Sequence, residues 1–580
     1  MTKILDNYQG TQDDALKIPI FAGISRRMFL KMTGAATLGI GLAPLSAFAL
    51  QNRGSGLSSI KSSASGHGKA ERITLLHTSD FHGQINVHDE FFWENGSAVF
   101  KKRGGFAHLK TMISELRKQN PNTLLLDGGD CFQGSGITAL TKGRAMIPLM
   151  NDLNYDLVLP GNWEVVYGKK RLIKDFEGYT ARKLCTNMFH SESGRLIFPP
   201  YSTFQLGSVK IGFIGYNDPL TPIRQSPDYS KGIKFTEPEE NIASYIKLLR
   251  EQEHCQLVFV MSHMGLAQQL NLASQPYTAG VDYILGGDTH ERIREPLQGQ
   301  YSKVTEPGAF ASFVGKLDLV IEAGKIKEEV YTLLEVDPEK YPEDEKMKQL
   351  IAQVRKPYEK KLNRVIGQTS VTLMRYFVLE TPMDNLITDG LIWKLNPDIA
   401  VSNGFRFCPP LYVPPGGRTD ITLDYLYSMI PVDSQILMAE ATGKQIWNWL
   451  EGELEHVFAK DPTQRLGGWL MRFQGMRIRF TIGEESGKRL QEVIVKGEKM
   501  DFAKVYTIAS CEREGDPDGL LCRIAGVKNR HRVGLHMYAI MEEYLHTHSP
   551  VYPKLEGRAV ATDASASLLT QVSGVNYQFR

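Results

Sequence analysis

Cysteine is scarce in this chain of 580 residues: there are six, they are scattered, and none belongs to a CxxC pair. This excludes a cysteine-ligated zinc module and a dense disulfide framework as the basis of the fold. Only Cys511 and Cys522 stand close enough in sequence to suspect a pair, and we do not predict a disulfide there.

An excess of charge is missing too, because 67 Lys and Arg residues face 65 Asp and Glu residues and leave a formal net charge of +2. That balance argues against a nucleic acid polymer or an anionic membrane as the main partner. The chain also lacks internal repeats and low-complexity core segments. Its 42% hydrophobic and 23% charged residues are typical of a globular protein, and its length predicts two domains.

The first 49 residues predict an export signal. The segment SRRMFLK supplies the pair Arg26 and Arg27, a moderately apolar Gly/Ala-rich run follows, and Ala47-Phe48-Ala49 is typical of a cleavage site. We therefore expect the twin-arginine export machinery as a partner, a periplasmic location, and no stable membrane span after cleavage. The alternatives are a buried core helix and an uncleaved anchor.

Beyond the signal, short β-rich apolar runs such as RITLLHTSD alternate with amphipathic helical stretches such as FAHLKTMISELRKQ. This alternation predicts an α/β layered domain. A Gly/Ser-rich stretch precedes it, and a charged helical stretch follows it. The predicted organisation is a signal at 1–49, a flexible linker at 50–71, a first domain at 72–335, a connecting helix at 336–364, a second domain at 365–555 and a tail at 556–580.

Five polar clusters close successive strand-like runs, at the sheet edge where open α/β folds place their sites. They are Asp80 with His82 in TSDFHGQ, Asp130 in LLLDGGDCFQGS, Asn162 in LPGNWE, His263 in FVMSHMG, and Asp288 with His290 in LGGDTHE. A lone strand-end histidine is more often structural, but five clusters in succession favour a dinuclear metal site. Two-metal hydrolysis uses ions ~3.5 to 4 Å apart, so one carboxylate must bridge them, and Asp130 is the best candidate.

The order of these motifs resembles that of the calcineurin-like metallophosphoesterases, and more closely that of the 5'-nucleotidase family, over residues 72–555. The resemblance implies an α/β fold: a four-layer metallophosphoesterase sandwich followed by a smaller α/β C-terminal domain that binds substrate. It implies two divalent metal ions, with Mn as the leading identity and Zn, Fe or Mg as alternatives. The implied ligands are Asp80, His82, Asp130 and His290 for one ion, and Asp130, Asn162, His263 and Asp288 for the other.

The chain departs from the family pattern at several positions. Asp288 stands where the family has a histidine, which adds negative charge and favours a harder metal. Trp163 and Val166 replace the catalytic histidine of the nucleotidases and the aspartate that holds it. Val432 and Arg513 stand where nucleotidases carry the two aromatic rings that clamp the base.

Other segments resemble the thiosulfohydrolase (SoxB) branch of the family: SNGFRF, DPTQRLGGWLMRFQGM, and the Trp-Glu pair followed by YG. That branch also carries Trp in place of the catalytic histidine, although it has His where this chain has Asn162. Arginine suits tetrahedral oxyanions through its forked donors. The predicted catalytic residues are Asn162, Trp163 and Arg406, and the predicted substrate-binding residues are Arg406, Arg472, Trp469 and Asp518.

The leading functional hypothesis is a thiosulfohydrolase-like enzyme in which metal-activated hydroxide attacks a sulfonate centre and releases sulfate from a cysteine S-thiosulfonate on a carrier protein. The persulfide that leaves is far less basic than an alkoxide, so the lost dyad would cost little. Trp163 would shield the metals, pack against the substrate or support its loop. The alternatives are a 5'-nucleotidase or other phosphomonoesterase or phosphodiesterase of nucleotide catabolism that acts on a small anionic substrate, and a metal-binding protein without catalysis.

Overall fold

The computed structural model describes residues 70–403 and 408–569. The predicted signal at 1–49, most of the predicted linker and Arg406 lie outside the described residues. None of the helices within the described ranges is long and apolar enough to cross a membrane. All six cysteines are described, and none of them forms a disulfide.

The first part of the described chain alternates strands and helices, as the sequence pattern predicts. Its strands are β1 Glu71–Thr78, β2 Val87–Glu94, β3 Ser97–Gly104, β4 Thr123–Asp127, β5 Leu157–Val158, β6 Arg182–Lys183, β7 Met188–His190, β8 Tyr201–Leu206, β9 Val209–Asn217, β10 Ile233–Phe235, β11 Leu257–His263, β12 Tyr283–Gly286, β13 Leu297–Gln298, β14 Lys303–Thr305, β15 Phe313–Glu322 and β16 Lys325–Glu335. Its helices are α1 Phe106–Gln119, α2 Gly136–Thr141, α3 Met146–Leu153, α4 Lys169–Glu177, α5 Thr221–Arg224, α6 Ile242–Lys247 and α7 Leu266–Leu272, and a 3-10 helix spans Trp163–Tyr167.

Two six-stranded sheets form the centre of this part, in the orders β16-β15-β1-β4-β5-β6 and β13-β14-β12-β11-β9-β8. Successive side chains of a strand point to opposite faces. Accordingly, Ile211 and Phe213 of β9 belong to the core shared with the other sheet, while Ile214 and Tyr216 belong to the core under α6 and α7. The layers are therefore helix, sheet, sheet and helix, which confirms the expected sandwich.

The second part is a smaller α/β unit. Its helices are α8 Glu345–Arg355, α9 Glu359–Leu362, α10 Pro382–Leu395, α11 Leu423–Met429, α12 Gly443–Phe458 and α13 Met537–His548. Its strands are β17 Val365–Thr369, β18 Ile399–Ser402, β19 Thr419–Thr422, β20 Gln435–Thr442, β21 Arg472–Gln474, β22 Met476–Phe480, β23 Leu490–Val495, β24 Glu498–Lys499, β25 Val505–Cys511, β26 Leu520–Leu521, β27 Ile524–Ala525, β28 Lys528–His536 and β29 Ala559–Ala561. The larger sheets have the orders β21-β18-β25-β20-β28 and β24-β23-β22-β29.

The structure corrects three predicted boundaries. Strand β1 begins at Glu71, inside the predicted linker, because that residue already pairs with Ile321 of β15. The predicted connecting helix at 336–364 is two helices, α8 and α9, since Pro357 between them lacks an N–H and its ring clashes with the preceding turn. The predicted tail contains β29, which pairs in parallel with β22 and buries Ala559 and Ala561.

A hairpin of the first part, β2 and β3, contacts the second part. The ring of Phe91 stacks on Tyr376 at a centroid distance of 5.0 Å, and that of Phe100 stacks on Tyr412 at 5.3 Å. The Tyr376 hydroxyl also donates a hydrogen bond of 2.6 Å to Glu90. These contacts hold the second part beside the strand ends that carry the predicted ligands.

Candidate metal centre and substrate pocket

The predicted metal ligands lie at the carboxyl ends of strands from both large sheets. Asp80 and His82 follow β1, Asp130 follows β4, Asn162 follows β5, His263 ends β11, and Asp288 and His290 follow β12. Five of these residues adopt the left-handed backbone region, with φ between 48° and 83°: Asp80, His82, Asp130, Asp288 and His290. Such conformations are costly for residues other than glycine, and their concentration at one place is typical of functional sites.

The side chains converge into two groups whose ligand atoms lie within 4.8 Å of one another: Asp80 with His82 and His290, and Asp80 with Asp130 and His263. Asp80 Oδ1 lies 3.3 Å from His290 Nε2 and 3.8 Å from His263 Nε2. Asp130 Oδ2 lies 3.1 Å from His263 Nε2 and 3.8 Å from His82 Nε2. Both carboxylates therefore reach histidines of both groups, the position that a bridging ligand requires.

The histidine rings are oriented for metal binding. His263 Nδ1 donates to the carbonyl oxygen of Gly128 at 2.7 Å, which directs Nε2 at Asp130. His82 Nδ1 donates likewise to the carbonyl oxygen of Gln133 at 2.8 Å. His263 Nε2 is buried without a hydrogen bond within the described residues and faces a carboxylate oxygen. Burial alone would lower the pKa of His263, but Asp130 and Asp80 raise it, so Nε2 and the carboxylate oxygen form a pair between which a cation can replace a proton. A backbone carbonyl that fixes the ring is the usual support of a metal-binding histidine.

Protonation states in the first group suit ligation. Burial lowers the pKa of His82 to about 3, so the ring is neutral near pH 7. Burial alone would raise the pKa of Asp80, but the neighbouring His263 and His290 bring it below its usual value, so this carboxyl group is ionised. Neutral imidazole and ionised carboxylate are the forms that bind metals.

One buried carboxylate, Glu164, holds together the two loops that present Asp130 and Asn162. Its oxygens accept hydrogen bonds from the backbone N–H groups of Asp130 at 2.9 Å and Gly161 at 2.6 Å, and also from Cys131 and Phe132. The loops approach so closely that a Cβ on Gly161 would lie 2.2 Å from Asp130 Oδ1. There is therefore no room for a side chain at Gly161. Glu164 is needed because it accepts hydrogen bonds from N–H groups of the neighbouring loop that would otherwise be unpaired.

Asn162 and Asp288 contact each other and two further side chains. Asn162 Nδ2 donates to Asp288 Oδ1 at 2.6 Å, and Asn162 Oδ1 accepts from Gln225 Nε2 at 3.0 Å. Arg224 Nη2 donates to both carboxylate oxygens of Asp288, at 3.1 and 2.9 Å. Asp288 Oδ1 lies 4.0 Å from His263 Nε2. These two predicted ligands thus lie beside the second group and outside both clusters.

Trp163 borders this centre and is almost buried, with 8% of its surface exposed. Its backbone N–H donates to Asp130 Oδ1 at 2.8 Å. Its side chain belongs to an apolar cluster with Phe91, Phe310 and Tyr376. The residue therefore supports the loop and lines the site at the same time, two of the roles that the sequence left open.

A pocket extends from the predicted metal ligands into the second part of the chain. Its walls include Trp163, Arg224, Tyr229, Val432, Trp469 and Arg513. Trp469, a predicted substrate-binding residue, lies in this wall and donates through Nε1 to the carbonyl oxygen of Asn403 at 3.1 Å. Val432 packs against the apolar cluster that contains Trp163.

Two predicted substrate-binding residues are placed elsewhere. Arg472 is 3% exposed and does not line the pocket, because its guanidinium donates to the carbonyl oxygens of Val378 and Phe377 at 3.0 and 2.7 Å. Asp518 is fully exposed and contacts Arg530 at 3.3 Å outside the pocket. Neither residue lines this pocket, and their substrate-binding roles stay predictions, since a sequence motif does not show which way its polar side chains point. Arg406 lies outside the described residues.

The sequence did not reveal the roles of Glu164, Arg224 and Gln225. Glu164 is part of the LPGNWE motif, so an acid two residues after the predicted ligand Asn162 was an available signal. Arg224 and Gln225 end a short helix without any motif, and only the tertiary structure brings them to the site.

Residues 73–292 match the calcineurin-like phosphoesterase family, and residues 365–512 match the 5'-nucleotidase C-terminal domain. Together with the convergent ligand groups, these matches decide the family. The chain belongs to the calcineurin-like phosphoesterases that carry a 5'-nucleotidase C-terminal domain. It is a metal-dependent hydrolase with a candidate dinuclear site.

Relatives within this family have different named activities. The trifunctional nucleotide phosphoesterase YfkN of Bacillus subtilis is 24% identical over 540 residues, which cover 84% of this chain and 34% of YfkN; this chain thus spans about a third of that relative. The solved structure of the sulfate thiohydrolase SoxB from Thermus thermophilus has a TM-score of 0.78 at 22% identity and covers 86% of this chain and 98% of SoxB. A 5'-nucleotidase precursor from Thermus thermophilus has a TM-score of 0.74 at 24% identity, covering 85% of this chain and 100% of its own. At these identities the structural likeness shows a shared fold.

Proposed function

We propose that this phosphoesterase-family enzyme is an exported thiosulfohydrolase that releases sulfate from a cysteine S-thiosulfonate on a carrier protein. One observation carries the proposal: the positions of the phosphoester dyad and of one base-clamping ring are occupied by a single apolar cluster. Trp163 belongs to that cluster, and Val166 and Val432 pack against it. Neither Trp163 nor Val166 can hand a proton to a leaving group near pH 7.

The other base-clamp position is occupied by a side chain that is already engaged. Arg513 Nη2 donates to the carbonyl oxygens of Ile223 and Gln225, each at 2.7 Å. Its guanidinium is therefore held in place by the chain itself, and it stands where nucleotidases carry an aromatic ring of the base clamp. This arrangement supports a substrate other than a nucleoside phosphate.

The reaction at such a site is nucleophilic displacement at sulfur. Water oxygen forms a bond to the terminal sulfonate sulfur, the sulfur–sulfur bond breaks, and its electron pair leaves with the persulfide. The two protons of the water pass to solvent, so the products are sulfate and the persulfide anion. Two divalent ions would supply activation of that water and neutralisation of charge. The residues that would hold them are Asp80, His82, Asp130, His263 and His290. The persulfide is a weakly basic leaving group, so the absence of an acid at positions 163 and 166 is tolerated.

Phosphomonoester hydrolysis, as in a 5'-nucleotidase, is the second candidate. It is supported by the match to the 5'-nucleotidase C-terminal domain and by Arg224, whose planar fork suits phosphate oxygens as well as sulfonate oxygens.

Manganese as the resident metal and the periplasm as the location also belong to the proposal. The metal rests on the types of the predicted ligands, and the location rests on Arg26 and Arg27.

The two candidates separate in one assay on purified, manganese-loaded protein. We expect sulfate release from a peptide carrying a cysteine S-thiosulfonate and no phosphate release from AMP above that of an Asp130→Asn control. Phosphate release from AMP without sulfate release would overturn the proposal and establish the phosphomonoesterase. Export is tested separately by replacing Arg26 and Arg27 with lysine, which should retain the protein in the cytoplasm.

A further inference from the structure

Arg224 occupies the point where the pocket meets the predicted metal ligands. It ends helix α5 and forms part of the pocket wall. Its Nη2 atom donates to both oxygens of Asp288, and its Nη1 atom donates to Asp218 Oδ2 at 2.7 Å. Asp218 is buried, with 1% of its surface exposed. Two carboxylates on different loops therefore hold the guanidinium plane in one orientation.

The backbone around Arg224 is held from the second part of the chain. The carbonyl oxygens of Ile223 and Gln225, which flank it, both accept hydrogen bonds from Arg513. The Gln225 side chain in turn donates to Asn162 Oδ1 at 3.0 Å. The turn is thus tied to two predicted ligand positions and to a pocket-lining residue of the second part of the chain.

Donors of the guanidinium remain for a ligand. Arginine has five N–H donors, and the hydrogen bonds of Arg224 to Asp218 and Asp288 use only its two terminal nitrogens. Within residues 70–403 and 408–569, no acceptor is paired with its Nε–H group. We propose that Arg224 binds the anionic oxygens of the substrate beside the metal ligands, an inference that rests on the proposed hydrolysis of a sulfonate or phosphoryl centre.

The same placement explains how the site tolerates Asp288. A carboxylate in place of the family's histidine adds negative charge where an anionic substrate must approach, and like charges at short distance repel. Arg224 places a positive charge 2.9 Å from that carboxylate, offsetting the repulsion, and presents it to the pocket. Sulfonate and phosphate share this chemistry, so the residue determines specificity for a tetrahedral anion rather than for one element.

The test uses sodium sulfate as the probe, because sulfate is the expected product and its binding is measured without turnover. Manganese-loaded wild type, Arg224→Gln and Arg224→Lys are titrated calorimetrically with sulfate, and bound manganese is counted by elemental analysis. Arg171→Gln is the matched control, since Arg171 is also a partly buried arginine paired with a carboxylate, Asp175, but lies outside the pocket wall. We expect sulfate binding to weaken at least about tenfold in Arg224→Gln.

Arg224→Lys keeps the charge but loses the fork, so we expect several-fold weaker sulfate binding with two manganese ions retained. Sulfate affinity within twofold of wild type in this folded variant, or equal losses in Arg224→Gln and Arg171→Gln, would overturn the assignment. So would a wild type that does not bind sulfate. A wild type that binds sulfate through Arg224 but hydrolyses neither the thiosulfonate nor AMP would instead refute the proposed function alone.

Discussion

The ligand-bearing strand ends and the pocket wall of this enzyme differ in how closely they follow the family. At the strand ends, every predicted ligand position keeps a side chain able to bind metal, and five of them converge. In the pocket wall, the positions for the dyad and the base clamp carry Trp163, Val166, Val432 and Arg513 instead. Chemistry at a metal centre restricts ligand types tightly, whereas the wall is free to change with the substrate. The proposed function accounts for this difference by a retained reaction class and a changed substrate.

The largest expected effect comes from removing a central ligand. Asp130→Asn should lower hydrolysis by more than about 10³-fold, because the metal centre supplies several kcal/mol of stabilisation. Bound manganese should also fall, which elemental analysis will measure. The exposed Asp501→Asn variant is the control. Unchanged metal content and activity would mean that Asp130 is not a ligand. The strand ends would then not differ from the pocket wall in keeping the family's function.

The second effect concerns an ion pair in the pocket wall and the free energy of unfolding at acidic pH. Arg523 donates to Glu453 through Nε and Nη2, each at 2.7 Å. Burial alone would raise the pKa of Glu453, but Arg523 and His456 lower it to about 2 from an ordinary 4.5. The ionised group therefore stabilises the fold above about pH 4.5, and this stabilisation is lost as the pH falls towards 2.

Glu453→Gln should accordingly lower the free energy of unfolding by on the order of 3 kcal/mol at pH 7, and by less at pH 3. Urea unfolding at both pH values measures the difference, and the exposed Glu498→Gln variant is the control. A difference between wild type and variant that does not shrink at pH 3 would contradict the assignment.

The third effect tests the support of the strand ends. Glu164→Gln replaces one of the two oxygens that accept hydrogen bonds from four backbone N–H groups with an N–H donor, so the loops of Asp130 and Asn162 should loosen. We expect manganese affinity to fall by roughly 10- to 100-fold, as is usual for residues that orient ligands. Titration against a competing chelator measures it, with the exposed Glu177→Gln variant as control. Equal affinities in all three proteins would show that Glu164 does not orient the ligands.

The smallest effect is a gain of function in the wall. Trp163→His combined with Val166→Asp restores the residue types of the dyad and should bring phosphate release from AMP to roughly tenfold above the background of the Asp130→Asn control. This is below the ~10²- to 10⁴-fold that a positioned acid can contribute, because the surrounding cluster stays apolar. Trp163→Phe is the packing control. No gain would place substrate choice mainly in the second part of the chain.

The fold was predictable because hydrophobic periodicity and turn residues are local signals. The alternation of strands and helices in the first part and the polar residues at strand ends both follow from them. The placement of Arg472 and Asp518 outside the pocket was not predictable for the opposite reason. The Arg472 guanidinium donates to backbone carbonyl groups and the Asp518 carboxylate faces solvent, and the residues next to them in sequence do not indicate either placement.

By itself, the sequence determined the types and order of the ligands, since side-chain chemistry alone limits which metals and reactions they serve. Only the tertiary structure decided which ligands share a group, because Asp80 and His290 stand 3.3 Å apart only once their two sheets pack face to face. It also decided that Arg224 pairs with Asp288, and that Arg513 donates hydrogen bonds to the two residues that flank Arg224. Those contacts join residues distant in sequence, and packing of the two parts of the chain sets their separation.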